Sequence, residues 1–404
     1  MRRNTGFLKG FIAGVLTLAL LFSVYMGVKG LLEVAYRSGL PLTSREYRDV
    51  GDKMRELGRV LEEHYLEEVE VQAMEEEALR GFVAGLGDPY TTYFSQEEYS
   101  SFLEKMEGSY EGIGVVISYG ESEEEILVVA PFPGTPGAMA GIQPGDRIME
   151  VDKEPVSGMS LDMIVERIKG EKGTQVSLTL YRKRTEETLE VQVTRDVIDV
   201  PTIDHAMLED QIGYIQIAGF EENTYDQFKE ALEDLEGQGI KGLVVDLRNN
   251  PGGFMHIVAA IGNELVPEGM IVYTEDKNGE RSELKSDNKT PFDKPLVVLV
   301  NEYSASASEI LAGAVKDRGV GTVVGVQTFG KGLVQRNFEL GDGSAVKVTI
   351  AKYYTPNGSY INGVGIAPDV VLPLEEAPEG AEQAEGPVMD NQLQKAVEII
   401  RSQQ

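Results

Sequence analysis

The residues best suited to chemistry in this chain stand in two short strings. The first is Ser304-Ala305-Ser306-Ala307-Ser308-Glu309, at a predicted strand-to-helix junction; the second is Thr328-Phe329-Gly330-Lys331-Gly332. A hydroxyl is a poor nucleophile until a base takes its proton, and histidine is the usual partner. The chain has three histidines. His64 falls in a helical segment, and His205 in a polar approach to a strand. His256 follows Gly252-Gly253, three residues into a predicted helix, with its side chain expected to point along that helix; it is the one serious rival. The other base that acts on serine is a lysine whose ammonium is desolvated, because burial lowers its pKa and frees a lone pair. Lys331 has suitable neighbours, glycines and apolar residues with no carboxylate adjacent. Gln335, four residues on, can orient that amine by a hydrogen bond. A solvent-facing lysine in a glycine hairpin is the competing reading.

The serine string has a plain explanation as well. Ser306-x-x-Glu309 is a capping box, which satisfies free N–H groups at a helix start. Capping does not explain three serines alternating with alanine, small residues that leave space around a hydroxyl. A third string, Asn249-Asn250-Pro251-Gly252-Gly253, follows a predicted buried strand, and its glycine amides, with the Ala307 amide, can hold an oxyanion. Making the strand-to-helix turn is the alternative role of those glycines. Gly325-Val-Gln-Thr-Phe-Gly330-Lys331 matches most of a P-loop, but Gly332 stands where the hydroxyl residue belongs and a strand, not a helix, is predicted next. Nucleotide binding is therefore rejected.

These strings need elements to position them. Residues 241–247 and 295–300 read as buried strands, each followed by a turn and an amphipathic helix, which suggests a layered α/β core over 197–374. Residues 375–388 are rich in Pro, Gly, Ala and Glu and read as an acidic linker, followed by a helix in 389–404. Residues 29–106 read as helical, including the loop Gly87-Asp88-Pro89-Tyr90, with packing or dimerisation as their expected role. Residues 107–196, with short strands from Gly112 to Ile117 onward and one helix, form a small domain. It resembles a PDZ domain, most specifically in Ala140-Gly-Ile-Gln-Pro-Gly-Asp-Arg-Ile148. The resemblance implies capture of an extended C-terminal peptide, with backbone N–H groups of Gly112, Ile113 and Gly114 at its carboxylate.

Composition narrows the classes further. There is no cysteine, which excludes disulfides, thiolate metal sites and cysteine nucleophiles. Among 404 residues, 37 Lys+Arg against 67 Asp+Glu give a net charge of −30, which disfavours nucleic acid as a partner. Residues 1–28 are different: Arg2, Arg3 and Lys9 precede the uncharged run Gly10 to Val28, long enough to span a bilayer. The expectation is a single-pass membrane anchor with the rest of the chain on the extracytoplasmic side. A cleaved signal peptide is the competitor.

With all motifs in place, the chain from about Gly87 to Pro373 resembles the C-terminal processing peptidases, or tail-specific proteases. The motifs are Gly87-Asp-Pro-Tyr-Thr, the PDZ string, Asp246-Leu-Arg-Asn-Asn-Pro-Gly-Gly253, Asn301-x-x-Ser-Ala-Ser306-Ala-Ser-Glu309, Gly330-Lys331-Gly332-x-x-Gln335, and Tyr354-Thr-Pro-x-Gly358 through Gly365-Ile-x-Pro-Asp369. The resemblance implies Ser306 as nucleophile, Lys331 as general base and Gln335 as the residue that positions it. It implies Ala307 and Gly252 as oxyanion donors, with Gly253 the alternative, and a crotonase-like α/β core. It calls for no metal or organic cofactor. The implied partners are proteins with accessible C-terminal tails and a second copy of the chain. The acidic hairpin Glu121 to Glu125 and the acidic composition bear on substrate preference. Two other classes stay open: a catalytically silent PDZ adaptor, and a crotonase-like enzyme acting on acyl thioesters.

Overall fold

The computed structural model describes residues 45–120, 125–375 and 387–404. The predicted anchor, most of the acidic hairpin and most of the linker lie outside the described residues. Among the described residues no helix is long and apolar enough to cross a membrane. The chain divides into two compact units, Met1–Ala78 and Leu79–Gln404. In the first, the helix Arg45–His64 carries Val50, Met54, Leu57 and Val60 at helical spacing, and all four are exposed.

The second unit begins with a departure from the helical expectation. Thr92–Phe94 is a strand, pairing antiparallel with Lys347, Val346 and Ala345. Its β-branched and aromatic residues favour a pleated surface, and the partner that makes it a strand is about 250 positions away, beyond the reach of local pattern. The next helix, Gln96–Glu107, starts at a complete capping box between Ser95 and Glu98 and ends at the left-handed Gly108.

A two-stranded ribbon, Ser109–Gly112 against Asp196–Asp199, leads into and out of the PDZ domain. The domain's sheet runs Val115–Tyr119, Ile126–Pro131, Asp146–Val151, Gln175–Arg182 and Glu187–Thr194, all antiparallel neighbours. Ile126, Val128, Ile148, Leu178 and Leu180 alternate inward along these strands and pack against Ile164 and Ile168 of the helix Leu161–Ile168. The single strand expected from Gly112 to Ile117 is broken. Gly112 closes the ribbon and Val115 opens the sheet, because Gly114 between them has φ +74° and its Cα faces the Thr135 side chain too closely for any Cβ.

The core sheet runs Ile203–Leu208, Ile212–Ile217, Gly242–Asp246, Leu296–Val300, Thr322–Gly325 and Val370–Val371, parallel except for its first pair. Gly242–Asp246 and Leu296–Val300 are buried at every position, since helices cover both faces. Leu243, Val245, Val298 and Val300 face the helices Thr224–Gly237, Met255–Leu265 and Ala307–Arg318. Val244, Val297 and Leu299 face the C-terminal helix Asn391–Gln403, whose Leu393, Ala396, Val397 and Ile400 cover them. That apolar stripe is therefore filled within its own chain. A second sheet, containing Gly269–Asp276, Arg281–Ser286, Leu333–Glu339 and Ala345–Tyr354, carries Lys331 to the start of one strand.

Candidate active site

Two neighbouring parallel strands deliver two turns to the same sheet edge. Asp246 pairs with Leu299, so the turn after Gly242–Asp246 lies beside the turn before the Ser306 helix. Side chains lock the turns together. Asn249 N–H donates to Asn301 Oδ1 at 2.9 Å and Asn301 Nδ2 donates back to Asn249 Oδ1 at 2.8 Å. Ala305 N–H donates to Asn250 O at 3.0 Å. Ser304 Oγ donates to Leu247 O at 2.8 Å and Ser308 Oγ to Asn250 O at 3.0 Å, both fully buried. The outer two serines are thus structural. Ser306 is the one left partly open to solvent.

Ser306 has φ 55° and ψ −111°, a conformation that costs a non-glycine residue about 1–3 kcal/mol and persists only where the surroundings impose it. The surroundings are a buried carboxylate and a buried phenol. Glu309, with no exposed surface, accepts Ser306 N–H and Lys331 N–H on Oε2, both at 2.9 Å. On Oε1 it accepts Gly330 N–H at 2.7 Å and the Thr328 hydroxyl at 2.6 Å. The Tyr353 hydroxyl, in contact with Ser306 O at 3.1 Å and with Lys331 O, shares its proton between the two carbonyls. Burial and the nearby Glu309 hold its pKa far above the ordinary value, so it stays a donor. Two residues far apart in sequence are in this way fastened through both their N–H and C=O groups.

The Lys331 amine sits over the Tyr90 ring, 5.0 Å from its centroid. Burial pushes its pKa down and the cation of Lys347 adds to that, while the carboxylates of Glu309 and Asp88 oppose it. Lys347, itself lowered by burial, rests on the rings of Phe94 and Phe102 at 5.2 and 5.6 Å. The result is an amine of reduced basicity, as a lysine base requires. The histidines are elsewhere engaged: His256 is exposed and faces Glu222 at 2.9 Å, His205 faces Asp234 at 3.3 Å, and His64 lies at the end of the first helix.

Gln335 pairs with Thr349 just after a β-bulge, and its Nε2 is buried with no partner. Among the described residues no hydrogen bond joins it to Lys331. Gly252 presses against Ser306 and the Ala307 amide, where a Cβ would lie 2.8 Å from Ser306 Cβ, and its φ is +105°. Its N–H, however, donates to Asn250 Oδ1 at 2.8 Å. The neighbouring Gly253 uses neither its N–H nor its C=O in its bridge to Phe220, which is made by Phe220 N–H to Gly252 O and Phe254 N–H to Phe220 O.

In the PDZ domain, Ile113 is buried and its carbonyl accepts Gly137 N–H at 2.7 Å, so Gly112, Ile113 and Gly114 form a held loop between ribbon and sheet. Three contributors were hidden from sequence reasoning: Glu309, read only as a cap; Tyr353; and the Asp88 to Thr91 loop, read as packing. For the loop a signal existed in the Gly87-Asp-Pro-Tyr-Thr string.

Residues 211–372 match the model of peptidase family S41, and residues 102–181 match the PDZ domain. The carboxy-terminal processing protease CtpA of Bacillus subtilis is 38% identical over 326 residues, 80% of this chain and 69% of the relative. A carboxyl-terminal-processing protease of Synechocystis is 39% identical over 300 residues, 73% of this chain and 70% of the relative. Among solved structures, the photosystem II D1 C-terminal processing protease aligns over 76% of this chain and 84% of its own, with 36% identity and a TM-score of 0.46. Identity of this level over most of both sequences fixes the family: the chain belongs to the carboxy-terminal processing proteases, serine-type peptidases of family S41.

Proposed function

We propose that this protease cuts peptide bonds with Ser306 as nucleophile and Lys331 as general base. The observation that carries the reading is the double fastening of these two residues, both N–H groups on one Glu309 oxygen and both carbonyls on the Tyr353 hydroxyl. Neutral Lys331 takes the Ser306 hydroxyl proton as Oγ bonds to the substrate carbonyl carbon. The amine is expelled with the proton that Lys331 returns, and water then hydrolyses the ester. The oxyanion rests on the amides of Ala307 and Gly253, since Gly252 N–H is occupied by Asn250; one such donor is worth about 2.7–4 kcal/mol in the transition state. Gln335 brings its unpartnered amide to the Lys331 side of the site when substrate is bound. The PDZ domain captures the substrate tail, its carboxylate at Gly112 to Gly114 and its chain along the strand Val115–Tyr119.

The same reading gives the core a crotonase-like arrangement and the N-terminal run a membrane anchor that holds the protease outside the cytoplasm. The exposed stripe of Val50, Met54, Leu57 and Val60 favours pairing with a second copy. The test uses an unfolded reporter with an apolar C-terminus, incubated with wild type, Ser306→Ala and Lys331→Ala. Cleavage by wild type alone is expected, lost when the reporter tail is amidated. Equal cleavage by all three would sink the dyad, and indifference to amidation would sink tail capture.

A further inference from the structure

Tyr90 lies before both matched segments, which begin at residues 102 and 211, yet its ring lies under the Lys331 amine. The chain brings it there by a defined device. Asp88 folds the loop on itself, accepting Tyr90 N–H at 3.0 Å and the Thr91 hydroxyl at 2.6 Å. Thr91 Oγ1 in turn accepts Thr349 N–H at 3.1 Å, and Thr92 opens the strand that pairs with Lys347. Every link belongs to the unit Leu79–Gln404.

We propose that Tyr90 is a positioning residue for the general base: its ring is the wall that holds the Lys331 amine in place and keeps water from it. This rests on the Ser306 and Lys331 reading above. The ring has two opposed effects. Its electron-rich face attracts an ammonium, which favours the charged form; its bulk removes water, which disfavours that form. Burial is the largest cause of the depressed pKa of Lys331, and the ring, 5.0 Å from the amine, is one of the groups that cover it. On this proposal its cover outweighs its attraction. The other groups around the amine are accounted for. Lys347 on the neighbouring strand lowers its proton affinity, Glu309 on the serine helix and Asp88 on the loop raise it, and the Tyr353 hydroxyl bonds the Lys331 carbonyl instead. Among the described residues no hydrogen bond of the Tyr90 hydroxyl is found, and its field falls on Tyr353 rather than on Lys331, so phenylalanine should suffice.

The test is the acid limb of kcat/KM against pH, which reports the free enzyme's base. It is measured in the full chain for wild type, Tyr90→Phe, Tyr90→Ala and Lys331→Ala with the apolar-tailed reporter. Modification of Ser306 by a small fluorophosphonate, followed over the same pH range, supplies a measure free of peptide binding. Tyr90→Ala should move the limb upward by roughly 0.5–1.5 pH units, a loss of about 3- to 30-fold below the limb, as water reaches the amine. Tyr90→Phe should leave the limb in place. A Tyr90→Ala limb that coincides with wild type overturns the inference however far the rate falls, and so does a Tyr90→Phe limb displaced as far as that of Tyr90→Ala. If Tyr90→Ala does not fold, Tyr90→Ser opens the same wall and carries the test. Lys331→Ala separates the two readings. Full activity there removes the dyad itself, whereas a dead Lys331→Ala beside an unmoved Tyr90→Ala limb removes only the role of Tyr90.

Discussion

Asp146 in the PDZ domain and Glu309 in the peptidase core are both buried carboxylates, 1% and 0% exposed, and they are satisfied in opposite ways. Asp146 meets a cation: Arg182 grips it through Nε and Nη2, both at 2.7 Å, and reaches on to Gly141 O, while Gln143 N–H donates to its Oδ2 at 2.9 Å. Among the described residues no ion pair reaches Glu309, which takes four uncharged donors instead. An arginine fork fixes one side chain to one turn. Amide donors fix backbone, and here they fix two separate pieces of it, Ser306 and Gly330-Lys331. The uncompensated charge of Glu309 also raises the Lys331 pKa, against the burial that lowers it. The PDZ pair holds a turn, whereas the core carboxylate fastens Ser306 to Lys331 and opposes the fall in the amine's basicity.

The comparison can be broken most severely at Glu309. Glu309→Ala leaves four donors without an acceptor, two or more of them buried, and should cost about 4 kcal/mol or more of stability together with all hydrolysis. Glu309→Gln keeps one acceptor oxygen and should fall between; denaturant midpoints and reporter cleavage read both. Asp146→Ala strands Arg182 in a largely buried place and should cost about 3–5 kcal/mol, confined to the PDZ domain. Its signature is lost cleavage of tailed substrate with cleavage of a short untailed peptide retained; loss of both would show that the two carboxylates are not independent. Tyr353→Phe removes the one proton shared by the Ser306 and Lys331 carbonyls. A loss of about 1–3 kcal/mol is expected, seen in kcat with KM little changed. The smallest effect belongs to Lys347→Met. With Lys331 as the proposed base, activity needs it neutral and the rate should fall as pH drops through its pKa; removing the cation that lowers that pKa should move the acid limb upward, by less than about one pH unit.

Much of this was legible in the sequence because it is local. Buried strands such as Leu296–Val300 announce themselves as unbroken apolar runs, and the helices that follow them show helical spacing. The PDZ string carries its own explanation, since Asp146 bonds Gln143 three residues before it. Gly112 to Ile117 misled because period-two hydrophobicity says nothing of a left-handed glycine in the middle. Thr92–Phe94 misled because its partner is remote. The family resemblance names Gly252 before Gly253 as an oxyanion donor, and no spacing shows that the Asn250 side chain, turned back on its own turn, accepts the Gly252 amide.

The sequence by itself determined the family, the order of the parts and the two strings that could react. These follow from residue type and spacing, which the chain carries wherever it goes. Only the tertiary structure decided which of three serines is free, because Ser304 and Ser308 lose their hydroxyls to carbonyls more than fifty residues away. It also decided what surrounds Lys331. Desolvation and the fields of Glu309, Asp88 and Lys347 depend on distance through space, and no spacing along the chain encodes that.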